Sequence, residues 1–258
     1  MAWNAGPNTY EVAAGVFHVV GPASNWTILV EAGRPALIDC GYPRDDAYVL
    51  GSLRHLGFEP SDVVGIAATH GHVDHIGLAH KFQKRYGTPV FATGDEAANV
   101  TREVVDQVAV PEVLRQSWRP RVALWLTHAM RSGATDPVGV SRVTEVVPGR
   151  PLDLPLHPVP VSVPGHTRGH TSFLLEDRDV LIAGDALMTA HPTTGTTGPS
   201  LLPDMFNYDT ELAFASLDVI ADYDTALLLP GHGLADDSGS KKAVDRVRRA
   251  WHARVGGR

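Results

Sequence analysis

Between Thr69 and His75 the chain reads Thr-His-Gly-His-Val-Asp-His, with three imidazoles and a carboxylate inside residues 70–75. Neutral imidazole and carboxylate are the side chains that hold zinc and similar first-row cations. Crowding four of them into one loop is costly unless a cation organises them. In a chain with 13 His among 258 residues, such a run arises by accident in roughly a few chains per thousand. A lone His is ordinarily a hydrogen-bonded loop or core residue; the whole run predicts a metal site.

Three further places share one layout: an apolar run, one or two small residues, then a ligand-type side chain. The run ending at Val163 leads to Pro164-Gly165-His166-Thr167-Arg168-Gly169-His170. Val180-Leu181-Ile182-Ala183 leads to Gly184-Asp185, and Ala226-Leu227-Leu228-Leu229 to Pro230-Gly231-His232-Gly233. Glycine beside a ligand allows tight turns and close backbone approach, and loops at one end of a rigid sheet are where sites are built.

The elements that must position these residues follow from periodicity and punctuation. Short β-branched or apolar segments separated by Gly, Pro, Asn and Ser predict strands at 16–20, 26–31 and 36–39. Helical spacing covers 45–56, ending at Gly57, and 76–86, ending at Gly87. The continuous apolar run 63–68 reads as a buried strand, followed by a short one at 89–92. From 95 to about 132 strand signals vanish and helical periodicity takes over, which predicts a helical insertion, a lid or an interface by position. Strands return at 141–147, 157–163, 171–175 and 179–183; 191–203, rich in Thr, Gly and Pro, reads as a loop. Helix 210–222, buried strand 225–229 and helix 241–251 complete the chain. The pattern predicts an α/β fold of two similar halves packed sheet on sheet.

A hydrophobic content of 43% over 258 residues supports one sizeable core and, in the simplest reading, one domain, and a charged fraction of 20% argues against global disorder. The net charge of −7 makes the chain a poor binder of phosphate backbones, so no nucleic acid is expected. Cys40 is the only cysteine, which excludes an internal disulfide and any need for an oxidising compartment. In its buried strand it is expected to be inert. Residues 1–7 show neither a basic nor an apolar leader region, and no apolar stretch reaches the ~18 residues of a membrane span. The expectation is a cytoplasmic protein with a small-molecule substrate, no membrane partner, and a homodimer left open.

The ordered motifs His-x-His-x-Asp-His, Gly-His-Thr-x-Gly-His, Gly-Asp and Pro-Gly-His, preceded by Leu37-Ile38-Asp39-Cys40-Gly41, resemble those of the metallo-β-lactamase-fold hydrolase superfamily across about residues 15–235. The resemblance implies a four-layer αβ/βα sandwich with two divalent metal ions at one sheet edge. Zinc is the first choice and iron or manganese the alternatives. By that pattern His70, His72 and His166 would hold one ion, Asp74, His75 and His232 the other, and Asp185 would bridge them. Asp39 would orient a ligand imidazole through its other ring nitrogen, and His170 resembles a position that is structural. The implied chemistry is attack on an ester, thioester or lactone by a metal-bridging hydroxide, with Asp74 orienting it and passing a proton to the leaving group.

Departures from the subfamilies narrow the expectation. Asp185 stands where the β-lactamases of the fold carry Cys or Ser. Only 26 residues follow His232, so the thiol-binding helical domain of hydroxyacylglutathione hydrolases is not expected. His72 replaces the Glu of flavodiiron proteins, and the inserted modules and basic surface of the nucleases are not seen. The acyl-homoserine lactonases are closest in length, but Met188 stands where they place a Tyr. A mononuclear iron-dependent sulfur dioxygenase of the same fold is the alternative activity. Arg168, His191 and Tyr208 are candidate substrate-binding residues, with Trp118 and Trp125 of the insertion as further pocket candidates.

Overall fold

The computed structural model describes residues 8–255; residues 1–7, where no leader is expected, lie outside them. Strands β1 (Thr9–Ala13), β2 (Val16–Val20), β3 (Asn25–Glu31) and β4 (Arg34–Ile38) form an antiparallel meander. Strands β5 (Ile66–Ala67), β6 (Val90–Thr93) and β7 (Thr144–Val146) extend it in parallel to seven strands in chain order. Helices α1 (Asp46–His55) and α2 (Ala79–Tyr86) supply two of the crossovers that parallel pairing requires. The second half contributes β8 (Val159–Ser162), β9 (Thr171–Leu175), β10 (Val180–Gly184), the small hairpin β11 (Met188–Ala190) and β12 (Thr197–Ser200), and β13 (Leu227–Pro230). The larger of its two sheets has the order β13-β10-β9-β8.

Alternation along the strands divides the core into three layers and thereby makes the four-layer sandwich. In β3, β4 and β5, Ile28, Leu37 and Ile66 face outward onto Val49 and Leu53 of α1 and Phe82 of α2. Their neighbours Leu29, Ile38 and Ala67 face inward, against Phe173, Leu175, Val180, Ile182 and Leu229 of the second sheet. The other face of that sheet, Leu174, Leu181 and Leu228, packs on Leu217 and Ile220 of α6 (Thr210–Tyr223) and Val244 and Val247 of α7 (Ser240–Val255). Strands buried on both faces read as unbroken apolar runs, which is how β10 and β13 look in the sequence.

Three helices, α3 (Gly94–Val100), α4 (Val110–Gln116) and α5 (Pro120–Arg131), fill the expected insertion between β6 and β7. The sheets differ from expectation where the functional loops pull on the backbone. The run 63–68 forms only the two-residue β5, because Thr69 turns its N–H to the Asp39 carboxylate (2.8 Å). Helix α2 starts at Ala79 instead of 76: the Ile76 amide closes a separate turn onto the His72 carbonyl, and the Gly77 amide is drawn to the Gly41 carbonyl. Strand β12 lies inside the stretch expected as loop, and β1 and β11 were also not foreseen. These short, partly polar strands are set by their pairing partners more than by their own sequence. Among the described residues no helix is long and apolar enough to cross a membrane.

Candidate metal centre

The C-terminal ends of β4, β5, β8, β10 and β13 meet at one edge of the sandwich and deliver, in turn, Asp39, the loop Thr69–His75, His166, Asp185 and His232. All seven predicted ligands converge there. His70, His72 and His166 form one trio whose donor atoms lie within 4.8 Å of one another; Asp74, His75 and His232 form another, and His70, His75 and Asp185 a third. His166 Nε2 stands 3.0 Å from His72 Nδ1 and 3.3 Å from His70 Nε2. Asp185 reaches both sides of the cluster. Its Oδ2 is 3.1 Å from His232 Nε2 and 3.5 Å from His166 Nε2, and its Oδ1 is 3.5 Å from His75 Nε2. Asp74 Oδ2 lies 3.6 Å from His232 Nε2 and 3.8 Å from His75 Nε2.

Each of the five imidazoles has its far nitrogen engaged by the protein. His75 Nδ1 donates to Asp39 Oδ2 (2.8 Å). That same oxygen accepts the Thr69 hydroxyl (2.7 Å), so Thr69 Oγ1 is left to accept from His70 Nδ1 (2.9 Å). His72 Nε2 donates to the Asp106 carbonyl (2.6 Å), His232 Nδ1 to the Ala23 carbonyl (2.6 Å) and His166 Nδ1 to Asn207 Oδ1 (3.1 Å). These bonds fix which ring nitrogen of each imidazole points into the cluster, where in the neutral ring it is a bare acceptor. Lone pairs held at such distances repel unless a cation lies between them. A tetrahedral shell with bonds of ~2.0–2.1 Å separates its ligand atoms by about 3.3–3.4 Å, the spacing of this cluster. His75 Nε2 and Asp185 Oδ1 are buried without a hydrogen-bond partner, a costly arrangement that metal coordination relieves. At Gly231 a Cβ would stand 2.0 Å from Asp185 Oδ1, so only glycine fits beside that carboxylate.

Charges follow the same division. Burial, then the neighbouring imidazoles, hold His70 well below the ordinary histidine range; burial does the same for His72 and His170. For His75 burial opposes protonation, but Asp185, Asp74 and Asp39 outweigh it and carry the ring up to about 10. Burial opposes the charge on Asp185 as well, yet His232 and His75 hold its carboxyl well below the usual carboxylate range. His170 is fully buried and accepts the Asp185 N–H at Nε2 (3.0 Å), the hydrogen-bonded role expected of it.

Several residues that build the centre carry no signal in the sequence. Glu96 is buried in the first turn of α3, and its carboxylate accepts four hydrogen bonds. Gly71 N–H (2.7 Å) and Asn99 Nδ2 (2.7 Å) bond Oε1; the Thr167 hydroxyl (2.8 Å) and Gly169 N–H (3.0 Å) bond Oε2. It thus ties the His70–His72 loop to the His166–His170 loop, whereas in sequence Asp95-Glu96 reads as ordinary acidic residues at a helix start. Arg102 Nη1 holds the Gly71 carbonyl (2.6 Å). The Ser24 hydroxyl donates to the Asp74 carbonyl, and Asn25 Nδ2 spans the carbonyls of Pro230 and Gly233.

A cavity lies over the donors. His191 lines it, buried, with its ring centroid 5.0 Å from that of His232 and its pKa lowered to about 3 by burial and then by His232. Trp125 lines it too, while Trp118 stands 74% exposed away from it. Arg168 and Tyr208 sit outside this cavity: the guanidinium lies 4.4 Å over the Tyr208 ring, and the Arg168 N–H bonds Asp106 (3.0 Å). Tyr42, which sequence reasoning passed over, is buried and lines the cavity beside Asp74 and Asp185. Cys40 is buried, and burial pushes its thiol far up, consistent with an inert residue.

Comparison with known proteins places this geometry. The sequence model described as Metallo-beta-lactamase superfamily matches residues 19–232. The "Probable metallo-hydrolase YflN" of Bacillus subtilis (strain 168) is 26% identical over 252 residues, covering 87% of this chain and 86% of that one. An "N-acyl homoserine lactonase" from Bacillus sp is 24% identical over 245 residues, covering 84% of each. Among solved structures, the metallo-beta-lactamase family protein TTHA1429 from Thermus thermophilus superposes with a TM-score of 0.68 at 25% identity, covering 98% of this chain and 82% of its own.

Proposed function

The chain belongs to the metallo-beta-lactamase superfamily, and from that premise we propose that it is a dinuclear metal-dependent hydrolase of a small-molecule ester, thioester or lactone. The observation that carries this reading is the paired donor set. Five imidazoles are oriented by partners on their far nitrogens, and two carboxylates are set among them at ligand-to-ligand spacing. His70, His72 and His166 would hold one ion, Asp74, His75 and His232 the other, and Asp185 would contact both. The second set supports two ions over the single iron of a dioxygenase. Divalent ions bound here would acidify a water to a pKa near 7 and polarise the scissile carbonyl.

The protein's own residues supply the rest. Asp39 and Thr69 fix His75 and His70, so the donors need little reorganisation. Asp74 is the least buried of the seven, its side chain 14% exposed. With Oδ2 turned to His75 and His232, its other oxygen is left to take a proton from the attacking water and return it to the leaving group. Met188 is buried below the cavity among Leu202 and Phe206, so the phenol that borders the reacting centre is that of Tyr42.

Elemental analysis of one preparation, joined to a panel of esters, thioesters and lactones, tests the reading. Two zinc-type ions per chain with turnover of at least one class is the expected result. One iron per chain with oxygen consumption on a persulfide would replace it with the dioxygenase.

A further inference from the structure

Resting on the hydrolase reading, we propose that the cavity over the donors is an acyl subsite for a short, uncharged aliphatic group. Its floor is the donor cluster, where His72, Asp74, His166, Asp185 and His232 border it. Its other walls come from the helical insertion and the loop before α6: Val113, Trp125, Leu126, Ala129, Leu202 and Phe206. Val113, Ala129, Leu202 and Phe206 are buried, so the cavity is closed on their side, while Val110 and Met130, which also line it, are exposed and mark where it reaches solvent. Trp125 seals it, its ring 5.3 Å edge-on from Phe206 and 6.0 Å from His191.

Three features choose the occupant. The first is charge. None of the described residues lining the cavity is Lys or Arg, and Arg168 is engaged outside it with Tyr208. A carboxylate carried into the apolar end would lack a counter-charge. The second is size. The cavity measures about 70 Å³ with the space over the donors included, less than half of the ~150 Å³ apolar cavity that accepts the six carbons of benzene, which sets an upper limit of roughly three carbons. The third is polarity of direction. The leaving group must collect its proton from Asp74, the most exposed donor, and depart to water, so the acyl side takes the closed end.

Each methylene that enters an apolar cavity of this kind raises kcat/KM about fourfold until the space is full. The test is steady-state hydrolysis of p-nitrophenyl acetate, butyrate, octanoate and hemisuccinate by the metal-loaded full chain. Butyrate should exceed acetate about 15-fold, from two methylenes. Octanoate should fall at least about tenfold below butyrate, and hemisuccinate at least about 100-fold below it, as an unpaired buried charge requires. Trp125→Ala should lift the octanoate-to-butyrate ratio above one, and Ala129→Leu should lower the butyrate-to-acetate ratio. If Ala129→Leu does not fold, the wild-type series and Trp125→Ala decide alone. Hydrolysis that is indifferent to chain length, rises to octanoate in the wild type, or accepts hemisuccinate as well as butyrate overturns the subsite and leaves the hydrolase reading standing. A two-metal protein that hydrolyses no member of the series, nor of the wider panel, overturns both.

Discussion

Replacing Glu96 tests whether the centre is held together by a residue that touches no proposed ligand. Its carboxylate is the sole acceptor recorded for the Gly71 and Gly169 amides and for the Thr167 hydroxyl, and it also takes one proton of Asn99. In Glu96→Ala four donors, all buried, lose their acceptor. At about 1–3 kcal/mol for each one left unmatched, the loss is at least about 4 kcal/mol, a large part of the ~5–15 kcal/mol that holds a domain folded. Glu96→Gln is milder. Its oxygen still serves Gly71 and Asn99, its amide can donate to a reoriented Thr167 hydroxyl, and only the Gly169 N–H is stranded, for about 1–3 kcal/mol. Urea denaturation of metal-free wild type and both variants measures the two values. The order wild type, Gln, Ala is expected, with the thermal midpoint falling about 2–4 °C per kcal/mol in a chain of this size. Metal titration adds a second readout. The tied loops carry His70, His72 and His166, so the ion they would hold should weaken about 10–100-fold, more than the ion of Asp74, His75 and His232. Both variants lying within about 0.5 kcal/mol of wild type, or Gln proving as harmful as Ala, would refute the account of Glu96 as the tie between the loops.

Other perturbations have equally definite outcomes. Asp185→Ala should lower metal content together with turnover, since that carboxylate approaches both trios; a variant that keeps two ions and full activity, by elemental analysis and assay, sinks the ligand assignment. Asp39→Asn should reduce metal affinity about 10–100-fold with little change in fold, measured by competition against a chromogenic chelator. His18, buried against Asn25, has its pKa lowered to about 4 by burial. A histidine depressed in the folded state contributes stability that is complete above its unfolded pKa near 6.5 and is lost as the pH falls toward about 4. His18→Gln should therefore flatten the dependence of unfolding free energy on pH between those values by about one proton, or ~1.4 kcal/mol per pH unit; an unchanged slope argues against it. Gly231→Ala should prevent binding of both ions, because its Cβ would fall on Asp185 Oδ1; metal stoichiometry reads this directly.

The sequence by itself determined the candidate ligands and the layers. His70, His72, Asp74 and His75 sit in one short run, and His166, Asp185 and His232 each follow an apolar run by one or two small residues. Those local spacings survive into the structure because a buried strand must end where its apolar run ends, so the next side chain is delivered to the sheet edge. The doubly buried strands likewise show as unbroken apolar runs, and the sandwich follows from them. Tertiary structure alone decided what aims the donors and what faces them. The partners of the imidazoles are the carbonyls of Ala23 and Asp106, the Asn207 amide, the Thr69 hydroxyl and the Asp39 carboxylate. A backbone carbonyl exists at every residue, so its use by a histidine leaves no mark in the sequence. Tyr42 directly follows the Leu37–Gly41 motif without a mark of its own, while Glu96 and the walls from Val113, Trp125 and Ala129 belong to helices of the insertion, 20 or more residues from the motifs. Their roles arise only when the insertion folds back over the sheet edge. The Thr69–His75 run therefore announces a metal centre, while the reach of Glu96 between two loops and the closed apolar end above them exist only once the chain has packed.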